Sequence, residues 1–363
     1  MRNRSEFTSL RIIFAVTVLI GHNKGSWRLG LANFMIPFLM LSGFVITISL
    51  ILEYNKTKNV SLKNFYLRRV IRIIPVSYTI IFLILAFTKI MHVRNFGHEY
   101  FVSAMAGIFF YASYWSWIDM LQFTTGAFTQ LWSLSVEEQF YLIWAPLTIF
   151  ILRRFNLKIL LRVAIVLWLV STVDLFMTYF VFHEIFRGYF SFDTRASNIL
   201  CGCFVGIIAG QGFFENMSKR KHIMIKILAL LSLVIFLWCV WRVTLFSSFS
   251  DTWAFPLVGA CWILMFIYLI AEQESLINRF LRLPFMVHLG KITLSSYVWF
   301  WAIFLLVTES NTHLFGWSLF IVRLTIIIAL SEVTYWLIEV PLHRVRKTRF
   351  TVKELRLETG GGA

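Results

Sequence analysis

Charge is scarce in this sequence. Of its 363 residues only 14% are Asp, Glu, Lys or Arg, against 59% hydrophobic and 18% aromatic, a balance that excludes an ordinary soluble domain and suits membrane-spanning helices. Acidic residues are fewer still, 18 against 34 basic ones, for a net charge of +16. The basic residues sit in short clusters between apolar runs and leave no basic groove. Nucleic acid is therefore excluded as a partner, and the distribution is the one membrane topology imposes. No Gly-rich phosphate loop offers an ordinary nucleotide site. The only cysteines are Cys201, Cys203, Cys239 and Cys261, all inside apolar runs. None has zinc-ligand spacing, and Cys201-Gly-Cys203 is too short for a redox pair, so they read as buried structural thiols and no metal is expected. Internal repeats are missing too. Arg2 and Arg4 precede an apolar segment that leads to a His and a Lys rather than to a small-residue cleavage site, so no cleavable signal is expected. The residues Thr359-Gly-Gly-Gly-Ala363 read as a tag or linker remnant.

What is present is a series of long apolar runs. Spans are expected at roughly 9–24, 31–52, 73–91, 130–152, 159–181, 195–212, 223–242, 252–272, 286–307 and 317–340, with 53–72 as the longest cytoplasmic loop. With ten spans and a cytoplasmic N-terminus, 26 of the 34 Lys and Arg residues fall on the cytoplasmic side. Counting the apolar stretch Phe101–Trp117 as a further span would invert every later loop, so it is expected to be a re-entrant or interfacial element. The fold class that follows is all-α: a polytopic membrane protein of about ten transmembrane helices plus that one element. Residues 1–358 are expected to form one transmembrane domain, with both termini cytoplasmic.

The stretch Leu131-Trp-Ser-Leu-Ser-Val-Glu-Glu-Gln-Phe-Tyr-Leu-Ile-Trp144 places Glu137 and Glu138 about two turns into an apolar segment. Carboxylates at membrane depth are costly and face a wet or buried functional cavity. A helix cap at Ser133 or Ser135, resembling a capping box, would explain one carboxylate but not the pair. On the first span, Arg11 and His22 are eleven residues apart, which is three full turns plus ~20°, so they share a face and lie ~16 Å apart along the axis. A neutral imidazole supported by Glu137 or Glu138 is a competent general base near neutral pH. Arg68, Arg69 and Arg72 precede the third span, either as positive-inside anchors or as a clamp, because guanidinium forks bind phosphates bidentately. Asp193 and Arg195 open the sixth span, either paired with each other or recognising acceptor hydroxyls. Aromatics near them, Trp115 and Trp117 included, suit sugar faces or an interfacial belt.

Arg11 followed by ten residues and then His22 resembles the arginine–histidine signature of the bacterial acyltransferase-3 family, which includes O-acyltransferases of O-antigen, peptidoglycan and nodulation factors. Other stretches agree in order: Leu41-Ser42-Gly43-Phe44; Phe65-Tyr-Leu-Arg68-Arg69-Val-Ile-Arg72-Ile-Ile-Pro75; Trp132-Ser-Leu-Ser-Val-Glu137-Glu138-Gln-Phe-Tyr141; Phe192-Asp193-Thr-Arg195; Leu289-Gly290; and Ile338-Glu339-Val-Pro341. The resemblance implies residence in the bacterial inner membrane and an acyl-CoA donor, most simply acetyl-CoA, that reaches the site from the cytoplasm. Arg11, Arg68, Arg69 and Arg72 would hold the donor. His22, oriented by Glu137 or Glu138, would be the base, and Asp193, Arg195, Ser42 and Tyr141 would contact substrate. The partners would be acyl-CoA, a glycan or other hydroxyl acceptor, and membrane lipid. One departure stands out: where family members carry a Tyr-Leu-Trp-His run in the ninth span, this chain has Tyr297-Val-Trp299-Phe300, without the histidine. The rival reading is a transporter or flippase of a lipid-linked glycan or small metabolite, which also buries charges among many spans. The absence of internal repeats argues against it.

Overall fold

The computed structural model describes residues 5–23, 34–92, 98–114, 127–215, 217–242 and 252–344, and among them every regular element is helical. The main helices in chain order are α1 (Ser5–Gly21), α2 (Met35–Thr57), α3 (Leu62–Ile90), α4 (His98–Ile108), α5 (Leu131–Arg154), α6 (Leu157–Phe180), α7 (Ile185–Phe190), α8 (Phe192–Gly210), α9 (Lys219–Arg242), α10 (Ala254–Ala271), α11 (Leu276–Leu281), α12 (Pro284–Leu306) and α13 (Gly316–Thr334). A single π-helical turn, Tyr335–Glu339, continues α13.

Among the described residues eight segments are long and apolar enough to cross a membrane: α2, α3, α6, α7 together with α8, α9, α10, α12, and α13 with its continuation to Arg344. The protein is an all-α, multi-pass membrane protein. Two of the ten expected spans, α1 and α5, fall outside that set. Helix α1 has 17 residues, ~26 Å at 1.5 Å per residue against a hydrocarbon core of ~30 Å. Helix α5 carries Glu137, Glu138, Arg153 and Arg154. Apolarity is thus given up on the helices that carry Arg11 and the carboxylates. Elsewhere large apolar side chains point outward, notably Val166, Val170 and Val173 on α6 and Ile227, Leu230, Val234 and Leu237 on α9. Such faces are the ones lipid tails cover.

Without a hydrophobic drive between helices in lipid, close approach depends on small residues. Helices α2 and α8 form the most extensive pair, and a glycine from each sits in the crossing. A Cβ on Gly43 would lie 2.0 Å from the Ile199 carbonyl oxygen, and one on Gly202 would lie 1.8 Å from that of Met40. The Leu-Ser-Gly-Phe stretch at 41–44 therefore places its glycine against α8. Gly290 does the same for α12 on α1, where a Cβ would meet the Thr8 carbonyl oxygen at 2.1 Å. Because the obstacle is backbone, no rotamer relieves it. Gly202→Val is expected to destabilise the bundle by about 3 kcal/mol or more, the upper part of the overpacking range. Size-exclusion and thermal-unfolding profiles in detergent check this: a monodisperse variant with wild-type Tm would contradict the crossing.

Two expectations about boundaries are settled. The loop expected at 53–72 is mostly helix, because α2 runs on to Thr57 and α3 starts at Leu62, capped by the Ser61 side chain accepting from the Asn64 N–H. The apolar stretch from Phe101 forms α4 of 11 residues, ~16 Å long and too short to cross, packed against α3 and α5. Trp115 and Trp117, like Thr359-Gly-Gly-Gly-Ala363, lie outside the described residues.

Candidate functional site

Helical spacing explains which polar residues meet. On α5, Ser133, Glu137 and Tyr141 follow one another at intervals of four and form one stripe. Glu138 is turned ~100° away from it. On α3, Arg72 is a turn from both Arg69 and Arg68, so spacing alone does not separate them; Arg69 and Arg72 line the cavity and Arg68 does not. On α2, Phe38, Ser42 and Val45 form a third stripe. With Arg11 from α1 and Thr293, Leu294 and Tyr297 from α12, these stripes line a cavity whose empty space, with the open solvent at its mouth included, is about 680 Å³.

The cavity is strongly charged. The Tyr141 hydroxyl donates to Glu137 Oε2 at 2.8 Å, and the Arg69 guanidinium stacks over the Tyr141 ring at 3.6 Å. Arg11 and Arg72 feel both Glu137 and Tyr141 electrostatically, and Ser42 stands beside the same two residues. Three cations thus face Glu137. Glu137 Oε1 and Arg69 Nε are buried with no hydrogen-bond partner, as is Glu138 Oε1. Buried polar atoms are normally satisfied, so orphans lining a cavity suit a polar ligand. Arg72 also lines a smaller pocket with Glu339 and His343, and Glu339 accepts from the Ser295 hydroxyl at 2.6 Å.

The lining also includes two hydroxyls without a role in the sequence reading, Ser133 and Tyr297. Ser133 Oγ and Tyr297 Oη are 2.5 Å apart, Tyr297 donates onward to the Gln130 carbonyl, and Gln130 Nε2 donates to the Val298 carbonyl at 2.9 Å. The Phe38 ring lies 6.1 Å from the Tyr297 ring, nearly parallel. Four-residue spacing from Glu137 was the only signal for Ser133; nothing in the sequence distinguished Tyr297.

His22 is not among the residues lining the cavity. Its Nδ1–H donates to the Val18 carbonyl at 2.8 Å, and since a carbonyl only accepts, the neutral ring carries its lone pair on Nε2. Phe300 and Trp301 stand edge-on to it at 5.6 and 5.4 Å. Phe300 occupies the position where the resembling family carries histidine, so an aromatic wall takes the place of a second imidazole. Neither Glu137 nor Glu138 forms a hydrogen bond or ion pair with His22. Glu137 is shared among the arginines and Tyr141 instead, because its stripe on α5 faces Arg11, ~16 Å down α1 from His22.

Other candidates are redirected. Arg68 pairs with Glu53 at 2.9 Å and does not line the cavity, so the expected clamp consists of Arg69, Arg72 and Arg11. Asp193 and Arg195 do not pair with each other. Asp193 takes Arg187 at 2.6 Å, in a cluster with Asp174 at 3.3 Å and Glu184 at 3.8 Å from the same guanidinium. Arg195 is buried, donates from Nε to the Tyr189 carbonyl at 2.5 Å and stacks on Phe255 at 3.9 Å and Tyr189 at 4.4 Å. It braces the helix entry rather than meeting solvent. Glu332 pairs with His288 at 2.6 Å. The four cysteines are free and buried.

An apolar multi-pass bundle in which arginines and a carboxylate line a cavity defines an all-helical integral membrane protein with a charged cavity among its helices. The chain belongs to the acyltransferase-3 family: residues 5–338 match that family's acyltransferase domain. It is 28% identical over 349 residues to the O-acetyltransferase OatA of Staphylococcus aureus, covering 92% of this chain and 56% of that protein. It is 27% identical over 349 residues to the peptidoglycan O-acetyltransferase OatA of Listeria monocytogenes, covering 92% and 55%. The chain therefore spans about half the length of the curated relatives it matches. No solved structure matches it.

Proposed function

We propose that the chain is an O-acyltransferase of the bacterial inner membrane that moves an acetyl group from cytoplasmic acetyl-CoA to a hydroxyl of a surface glycan. The observation that carries this reading is the cavity in which Arg11, Arg69 and Arg72 converge on Glu137 and Tyr141. Most clustered Lys and Arg residues lie at the end of the bundle where Arg69 and Arg72 stand, and the positive-inside rule puts that end in the cytoplasm, with both termini. Guanidinium forks suit the pyrophosphate of coenzyme A, and Arg72, reaching two pockets, is the first side chain the donor meets. The pantetheine arm then runs past Glu137, Ser42 and Ser133 toward His22.

His22 Nε2 removes the proton from the acceptor hydroxyl as its oxygen attacks the thioester carbonyl. A C–O bond forms, the C–S bond breaks, and the proton passes to the departing thiolate, giving ester and coenzyme A. Arginine or backbone N–H groups stabilise the oxyanion. Glu137 holds the arginines and Tyr141 in register, and Glu138 restrains Arg69 and Arg72. At the opposite rim Asp193, held by Arg187, offers a carboxylate to acceptor hydroxyls. No covalent acyl-enzyme is required.

The relatives' names, one of them a peptidoglycan O-acetyltransferase, favour a cell-wall glycan as acceptor. The purified chain in detergent is expected to release free thiol from acetyl-CoA in the presence of a soluble N-acetylglucosamine oligomer, with an acetyl mass appearing on the oligomer. Transport of the oligomer in proteoliposomes without any thiol release would establish the transporter class instead.

A further inference from the structure

We infer that Trp301 is a catalytic hydrogen-bond donor whose indole N–H, beside His22, holds the thioester carbonyl oxygen as negative charge collects on it. The inference rests on the acyltransferase reading above and names a further residue of that same reaction.

Trp301 Nε1 is buried without a hydrogen-bond partner. A tryptophan near a membrane interface ordinarily turns its N–H to water or headgroups, and a buried one finds an acceptor in the protein. Trp299, two residues earlier on α12, follows the second rule and donates to Thr334 Oγ1 at 3.1 Å. Trp301 follows neither. Part of its ring is exposed, yet the nitrogen is shut away from solvent and lipid. A neighbouring aromatic face returns only a weak interaction for the lost hydrogen bond. An unsatisfied buried donor costs stability, and a catalytic role is one of the few reasons to keep it.

Its surroundings identify what it serves. The Trp301 ring stands edge-on to the His22 imidazole, 5.4 Å between centres and 82° between planes. Phe300, the preceding residue on α12, stands edge-on to the same imidazole at 5.6 Å. The bond from His22 Nδ1–H to the Val18 carbonyl fixes the ring between them. Phe300 has no polar atom to offer. Trp301 has one, and an indole nitrogen only donates. It can neither take the proton of the acceptor hydroxyl nor relay one from His22. What it can do is stabilise an oxygen that gains negative charge, and in this reaction that is the thioester carbonyl oxygen. As the acceptor oxygen forms the new C–O bond, the carbonyl π pair moves onto that oxygen. When the pair returns, the C–S bond breaks and the thiolate leaves with the proton His22 had taken up. The acceptor oxygen lies ~2.8 Å from His22 Nε2, and the carbonyl carbon ~3–3.5 Å from that oxygen as attack begins. The charge therefore develops next to the imidazole, in the space that the Trp301 edge borders. A donor fixed there beforehand needs no reorganisation when the charge appears.

Trp262 on α10 supplies a control. Its Nε1 is also buried without a partner, but its ring packs against Phe14 at 4.9 Å, ~12 Å down α1 from His22, and against Phe236 and Phe266 at 5.3 and 5.9 Å.

The test measures thiol release from acetyl-CoA by the full chain in detergent, with an N-acetylglucosamine oligomer as acceptor. Trp301→Phe keeps an aromatic ring and removes the N–H. It is expected to lower kcat about a hundredfold, the cost of one oxyanion donor, with kcat/KM falling equally. Trp262→Phe is expected to keep kcat within a few-fold of wild type. If Trp301→Phe does not fold, benzothienylalanine at the same position, with sulfur in place of the N–H and the shape kept, should show the same loss. Wild-type turnover in a folded variant lacking the N–H would overturn the donor and leave the acyltransferase reading intact. So would a raised KM for the oligomer at unchanged kcat, the mark of uniform acceptor binding, or an equal loss of kcat in Trp262→Phe. If the wild type released no thiol from acetyl-CoA, the acyltransferase reading would fall, and the donor with it.

Discussion

His22→Ala is expected to lower acyl transfer by about two to four orders of magnitude, the range that general-base catalysis supplies. The structural cost should be small. His22 closes the last turn of α1, and its Nδ1–H donates to a helix-terminal carbonyl, Val18, a group that water or lipid headgroups can satisfy at a helix end. The crossing of α1 with α12 is set at the opposite end, at Thr8 and Gly290, and does not depend on the imidazole. The variant should therefore insert, purify and melt like the wild type while losing turnover. His22→Gln, which keeps a donor near Val18 but cannot take up a proton, should be equally inactive. That distinguishes a base from a packing residue. Thiol release by folded His22→Ala within a few-fold of wild type would remove the proposed base and with it the direct-attack mechanism.

Arg72→Ala is expected to raise the KM for acetyl-CoA about tenfold or more, a loss of about 1.4 kcal/mol or more in donor binding, and to abolish protection from heat unfolding by coenzyme A. Arg72 faces both the main cavity and the smaller pocket beside Glu339, so one truncation removes a cation from two stretches of the donor's path. Arg72→Lys keeps the charge without the fork and should fall between wild type and Arg72→Ala. Arg68→Ala is the control within the same basic run. Its guanidinium is committed to Glu53, a partly exposed pair worth about 0–1 kcal/mol, so donor KM should stay close to wild type. If Arg68→Ala and Arg72→Ala weakened donor binding equally, the run would be acting through its net charge, and the specific role given to Arg72 would fail.

Much of this protein was legible one helix at a time. Apolar length identified the multi-pass, all-helical fold, and the Lys and Arg distribution identified Phe101 onward as something other than a span; α4 proves too short to cross. Three-and-a-fraction residues per turn put Arg11 and His22 on one face. The ordered short motifs pointed to the family that residues 5–338 match. The isolated charges in spans, Glu137 foremost, marked where a cavity would be, because burying a carboxylate among lipid tails without cause is too costly to persist.

Partnerships between helices were not legible, for one physical reason. Periodicity states which side chains share a face, but not which neighbouring helix that face meets, at what crossing angle or at what depth. Arg68, Arg69 and Arg72 look alike in sequence; only the orientation of α3 against α2, α5 and α12 sends Arg68 to Glu53 and the other two into the cavity. Glu137 and Glu138 are likewise adjacent, and only the stripe that α5 turns inward selects Glu137. The expected meeting of Glu137 with His22 does not occur, and Asp193 takes Arg187 in place of Arg195, because in each case depth and rotation are set by crossings such as Gly43 on Ile199 and Gly290 on Thr8. The contacts of Tyr297 with Ser133 and Phe38 join three helices and exist only once they have packed. Composition and helical period belong to the chain alone and determined the class and the candidate chemistry; which groups touch was decided by tertiary packing, since van der Waals contact and hydrogen bonding act over only a few ångströms.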